Sequence, residues 1–224
     1  MVGGIASLLM QMLHPAILAG VWDHSSFRTD MHGRLRRTAR FIATTTYAER
    51  AAAQALIARV RSIHDGVTGV LPNGTPYSAN DPALLAWVHV TETSNFLDAW
   101  VRYADPLMKA DDQDRYFAEM AMIGEALGAD PVPRSRREAS ALIDAMRPAL
   151  STDGRTAEVA RLIIGSRALG PPRDFPRRLA VEAAIDLLPG WARALHGLPM
   201  SPLERPIVRA GTWGVAQTLR WAFR

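Results

Sequence analysis

Two short polar clusters stand on otherwise apolar helical faces: Arg34-Leu35-Arg36-Arg37-Thr38 and, about seven helical turns later, Arg61-Ser62-Ile63-His64. A histidine on an apolar face, with an arginine one turn before it, can ligate a metal while its neighbour holds an anion. The chain has no cysteine. Disulfides, Cys-type zinc and iron–sulfur sites, thiolate-ligated haem and covalent haem attachment are therefore excluded. Haem iron bound through His64 is the sharpest reading of these residues. The ordinary alternative is a core histidine bonded to a backbone carbonyl.

Placing residues 48–65 at 100° intervals makes Ala53, Leu56, Ile57, Val60 and Ile63 the apolar arc. His64 falls inside that arc and Arg61 at its margin, where a guanidinium suits a carboxylate such as a haem propionate. Over residues 30–46, Arg34, Thr38, Phe41 and Thr45 share one inward stripe. Arg36 and Arg40 point the other way, and Arg37 lies at the edge of the stripe. An inward arginine needs an anion, a set of acceptors or an ordinary buried ion pair. Over residues 82–102, Leu85, His89, Glu92, Phe96 and Trp100 share a face. A buried His89–Glu92 hydrogen bond is the favoured reading, a pocket wall or proton relay the alternative. His14, beside Pro15, is a further isolated polar group on an apolar segment.

The elements that must position these groups are helical. The apolar period predicts helices over roughly 4–21, 30–46, 48–65, 82–102, 111–128, 134–148, 155–168, 175–187, 189–196 and 201–222, with no convincing strand. Turn chemistry separates them, notably Pro72-Asn73-Gly74, Gly128-Ala129-Asp130-Pro131 and Gly170-Pro171-Pro172. Asp81-Pro82 reads as an N-cap followed by proline at the first helical position, and Ser135 with Glu138 as a capping box. The expectation is an all-α fold, one domain over residues 1–224 built as a compact multi-helix bundle enclosing a b-type haem. The first 22 residues are apolar but lack a basic start and are interrupted by Gln11, His14 and Pro15. They read as a buried helix rather than a signal peptide or membrane span, so a cytoplasmic location is expected.

In order along the chain, Gly3-Gly4, Leu8-Leu9-Met10-Gln11, His14-Pro15, Gly20 and Ser25 lead into Arg34-x-x-Arg37-Thr38 and Arg61-x-x-His64. Gly66-x-x-Gly69, Gly74-x-x-Tyr77-x-Ala79-x-Asp81-Pro82, Trp87-x-His89 and Asp105-Pro106-Leu107 follow. This succession resembles the latex-clearing-protein and MpaB-type oxygenase family over residues 3–135, and more loosely through Leu188-Pro189-x-Trp191-x-Arg193. The resemblance implies a haem b protein with His64 as axial ligand, Arg61 one turn before it, and Arg34 and Thr38 across the haem. It also implies the use of dioxygen on an apolar substrate of the isoprenoid class.

Two positions depart from the rubber-cleaving branch. Where that branch has an iron-capping lysine this chain has Arg37, whose permanent charge makes it a poor iron ligand. The branch's distal glutamate also has no match, since the first glutamate here is Glu49 and only Asp23 or Asp30 stands nearby. A smaller substrate than rubber is therefore expected.

Lysine plus arginine number 26 against 22 acids, a net charge of +4. The arginine count and the acid-free stretch after Glu204, with Arg205, Arg209, Arg220 and Arg224, raise a helical DNA-binding regulator, but the missing helix-turn-helix pattern argues against a nucleic-acid partner. The absence of a Glu-x-x-His pair disfavours a di-iron bundle. A haem or apolar-ligand carrier without turnover is the alternative function. The exposed helix ends admit a homodimer or a membrane-surface contact, the latter through Trp213, Val215, Leu219, Trp221 and Phe223.

Overall fold

The apolar first segment does not form one helix. It breaks into α1 (Val2–Gln11) and α2 (Pro15–His24), which meet at 103°. Pro15 causes the break: it has no N–H to continue the ladder and forces His14 into extended backbone (φ −88°, ψ 118°). The computed structural model describes residues 1–165 and 175–222. Over them the chain continues through α3 (Met31–Tyr47), α4 (Arg50–Asp65), a hairpin of β1 (Thr68–Val70) and β2 (Pro76–Ser78), α5 (Pro82–Tyr103) and α6 (Ala110–Leu127). It ends with α7 (Arg136–Met146) and a short 3-10 turn, α8 (Gly154–Ile164), α9 (Phe175–Leu187), α10 (Gly190–Leu195) and α11 (Glu204–Ala222). The described fold is thus mostly helical, as expected. The end of the predicted 155–168 helix and the Gly170-Pro171-Pro172 hinge lie outside the described residues.

The hairpin was not anticipated. Each strand is only three residues long, with Gly69 opposite Tyr77, too short for an alternating pattern to register. The Pro72-Asn73-Gly74 turn makes it: Gly74 takes φ +86° and its N–H returns to Leu71 O. The Tyr77 hydroxyl then donates to Asp23 Oδ2 at 3.0 Å, and His24 Nε2 meets Thr68 O at 3.0 Å, so the hairpin clasps α2.

Helix α5 is central. Asp81 caps it through the N–H groups of Ala83 and Leu84. Its buried polar run satisfies itself along its own backbone: Thr91 donates to Trp87 O, Thr93 to His89 O and Asn95 to Thr91 O. Helix α1 lies antiparallel on it, with Gly3 against Asn95 and Phe96 and the Gln11 amide reaching Val88 O. A Cβ at Gly3 would stand 2.7 Å from Asn95 O, so the approach requires glycine. The main core joins α1, α5 and α6 to α7, α8, α9 and α10 through Leu9, Leu13, Trp87, Phe117, Ile185 and their neighbours. Ser135 accepts from Glu138 N–H as expected of a cap, but the Glu138 carboxylate turns to Arg134 N–H.

The carboxyl-terminal helices are tied by one carboxylate. Asp186 on α9 has a fully buried side chain and binds Arg102 of α5 (3.0 Å) and Arg205 (2.5 Å) and Arg209 (2.6 Å) of α11. Burial alone would raise its pKa, but the arginines outweigh burial and hold it below the ordinary carboxylate range. Arg193 of α10 adds a bond to Asp186 O. Asp186→Ala strands three guanidiniums at once. It is expected to cost about 3–5 kcal/mol in urea or thermal unfolding, whereas an exposed pair such as Arg115–Glu119 is expected to cost under about 1 kcal/mol.

Candidate functional site

Arg34 and Thr38 line a cleft opening between α1, α2, α3 and α8. Its other walls are Leu8, Met12, Val21, Phe27, Val159 and Ile163, and it is a small slot partly open to solvent. Six of these eight residues are apolar, so the cleft is a greasy slot with one polar side. Phe27 is held by an edge contact with Trp22 at 5.6 Å, and Arg28 lies over the Trp22 ring at 4.7 Å. That packing fixes residues 25–29, which carry the Ser25 hydroxyl beside the cleft. Sequence periodicity could not have found Phe27, Val159 or Ile163, because they reach the cleft from outside α3.

Arg34 is the polar feature of the slot. Its Nη1 donates to Ser25 Oγ at 2.9 Å, and no carboxylate partners it among the described residues. Burial first, then the neighbouring Arg37 charge, holds its pKa below the ordinary arginine range. Thr38 Oγ donates to Arg34 O at 3.2 Å, as a threonine on a helix does when no outside partner calls it away. Arg37 lies outside the slot, exposed and paired with Asp30 at 3.4 Å. Asp30 also caps α3 through Gly33 N–H, and Asp23 accepts from Tyr77. Both acids that could have replaced a distal base are therefore committed elsewhere, and no carboxylate lines the cleft.

His64 ends α4 and is not among the residues lining this cleft. Its Nδ1 is buried and unpaired, as is Oδ1 of the adjacent Asn80, so the two approach without forming a bond of good geometry. Burial pushes the imidazole below its ordinary pKa, opposed only in part by Asn80 and Asp65, so the ring is neutral at pH 7. A neutral imidazole with a buried nitrogen left unpaired has the chemistry of a metal ligand. Arg61 turns to the end of α6, where its Nη1 donates to Ala126 O at 3.2 Å. Arg34 and Thr38 are thus brought together, while His64 and Arg61 stand on a separate element.

The favoured His89–Glu92 hydrogen bond does not form. The His89 ring packs on Gly124 of α6, where a Cβ would come within 3.0 Å, and its Nε2 is buried without a partner. Burial pushes His89 down to about 4, opposed by Glu125, and pushes Glu92 up to about 7. Buried Tyr116 is raised as well, by its own burial and by the Glu92 charge. His14 Nδ1 is likewise buried and unpaired at the α1–α2 break.

Glu92 therefore binds its proton more tightly in the folded chain than in the unfolded one. Its contribution to stability falls as pH rises from about 4.5 to about 7, and remains as a fixed penalty above that. Glu92→Gln is expected to leave stability unchanged near pH 4.5 and to raise it by about 3 kcal/mol at pH 8. Urea unfolding at the two pH values measures the difference, and parallel profiles for the two proteins would mean that the carboxylate is paired or hydrated.

No curated protein and no solved structure matches the chain. One family model does, over residues 1–221: the catalytic domain described as ER-bound oxygenase mpaB/B'/Rubber oxygenase. The match spans the cleft, α4 and the Asp186 cluster alike, and it places the chain among oxygenase catalytic domains. The chain belongs to the mpaB/rubber oxygenase catalytic-domain family.

Proposed function

We propose that this chain is a haem b-dependent oxygenase that uses dioxygen on a small apolar substrate of the isoprenoid class. In this reading His64 is the iron ligand, Arg61 holds a propionate, and Arg34 and Thr38 form the polar side of the reaction slot. The observation that carries it is Arg34, a half-buried cation without a carboxylate at the polar edge of an apolar cleft. Such a charge is costly unless an anionic or electron-rich group is to be met there.

Haem b, when bound, supplies the redox chemistry of dioxygen. The chain's own residues do the rest. The neutral His64 imidazole offers a lone pair without first losing a proton. Arg34 stabilises negative charge that develops on oxygen, and its half-burial beside apolar walls strengthens that effect. The Thr38 hydroxyl can exchange its bond to Arg34 O for one to a bound oxygen atom. Leu8, Met12, Val21, Phe27, Val159 and Ile163 present the apolar surface against which a hydrocarbon chain would lie. Arg37, held at the rim by Asp30, acts through its charge on Arg34.

A second reading, a haem or apolar-ligand carrier without turnover, is favoured by the lack of any carboxylate lining the cleft. Protein expressed with a haem precursor separates the two. A pyridine haemochrome assay and oxidised and dithionite-reduced spectra are expected to show near-stoichiometric haem b, which His64→Ala loses while keeping its circular dichroism. Arg34→Ala is expected to retain haem and to slow oxygen consumption with isoprenoid substrates by about 100-fold or more. A colourless protein that rejects added haemin overturns the haem assignment. Full haem with no oxygen consumption on any apolar substrate leaves the carrier.

A further inference from the structure

Helix α11 turns one side to the protein and leaves the other bare. Its inner side buries Thr212 and delivers Arg205 and Arg209 to Asp186, while Gly211, at the boundary of the two sides, meets Leu179 of α9. At 100° per residue the opposite side carries Ile207, Ala210, Gly214 and Trp221, continued by Leu203 just before the helix. Leu203 is 82 % exposed, Ile207 74 % and Trp221 78 %, with Trp213 at the flank 50 % exposed. No charged side chain falls on this outer arc between Leu203 and Thr218. Scattered exposed apolar residues need no explanation, but a run of large ones along one helix marks a contact.

Charge identifies the occupant. Residues 175–224 hold seven arginines against three carboxylates, while the preceding 174 residues hold nineteen basic and nineteen acidic side chains. The whole net charge of +4 is therefore at this end of the chain. Helix α9 runs antiparallel to α11, since Asp186 meets Arg205 and Leu179 meets Gly211. That direction brings the start of α9, with exposed Phe175 and Arg177, toward the second half of α11. A second copy docked on this face would bring two ends of net positive charge together. An anionic lipid surface meets both properties: phosphates for the arginines, and the headgroup–acyl boundary for tryptophan and isoleucine. No single described helix is long and apolar enough to cross a membrane, so the contact runs along the surface.

We propose that α11 lies in the plane of an anionic lipid bilayer, with Ile207, Trp213 and Trp221 entering the headgroup boundary and the net positive charge of residues 175–224 drawing this end to the anionic headgroups. Co-sedimentation of the whole protein with phosphatidylcholine vesicles, with and without phosphatidylserine, tests it. The bound fraction is expected to be about tenfold higher with phosphatidylserine and to fall in high salt. It should also be lost in the double variant Ile207→Glu, Trp221→Glu. Equal binding to both vesicles, or binding that survives this variant, overturns the proposal. So does a dimer, seen by light scattering, that the variant dissolves in a protein that binds no vesicle. A milder readout guards against loss of fold: brominated phosphatidylserine should quench tryptophan emission in the parent and less in Trp221→Phe, and equal quenching overturns the proposal.

Discussion

Helix α1 is covered on several sides at once, and the placement of the cleft depends on it. Through Gly3, Ser7 and Gln11 it lies on α5; through Leu8 and Met12 it walls the cleft. The contact with α5 is as close as a helix pair allows, since there is no room for a Cβ at Gly3. A helix apolar on all sides belongs inside a protein or a membrane, and here the surrounding helices supply the apolar environment. The break before Pro15 then turns α2 across the cleft mouth, and the hairpin clasp on Asp23 and His24 keeps it there.

Charges divide by whether the fold provides their partners. Asp186 neutralises part of a crowd of arginines and ties three helices together. Arg193 is taken up by the carbonyls of Asp186 and Leu188. Arg61 completes the end of α6. Each of these arginines answers a structural need. Arg34 has only a serine hydroxyl and borders an apolar slot. Among the imidazoles, His24 and His196 reach backbone carbonyls through one ring nitrogen, while His14, His64 and His89 each keep a buried nitrogen unpaired.

Helix positions were legible in the chain because they rest on local rules. The Asp81-Pro82 start of α5 and the Gly128 end of α6 follow from spacing and backbone preference. The family was legible too, from short motifs in order. The pattern missed what is short or non-local. Three-residue strands carry too little periodicity to register, and the α1–α2 corner hides inside a continuous apolar run because hydropathy does not sense a missing N–H. The His89–Glu92 pair shows a subtler limit. Two residues one turn apart share a face, yet that face met Gly124, so each was buried separately instead of bonding to the other.

By itself, then, the sequence determined which segments are helical and that cysteine chemistry is closed to this protein; each is a property of residue type and spacing along the chain. Only the tertiary structure decided that Val159 and Ile163 share a cleft with Arg34, that Arg61 serves α6, that Asp23 and Asp30 are already engaged, and that the outer face of α11 stays bare. Those outcomes depend on which surfaces meet, and a side chain's partner across space is set by the packing of the whole chain.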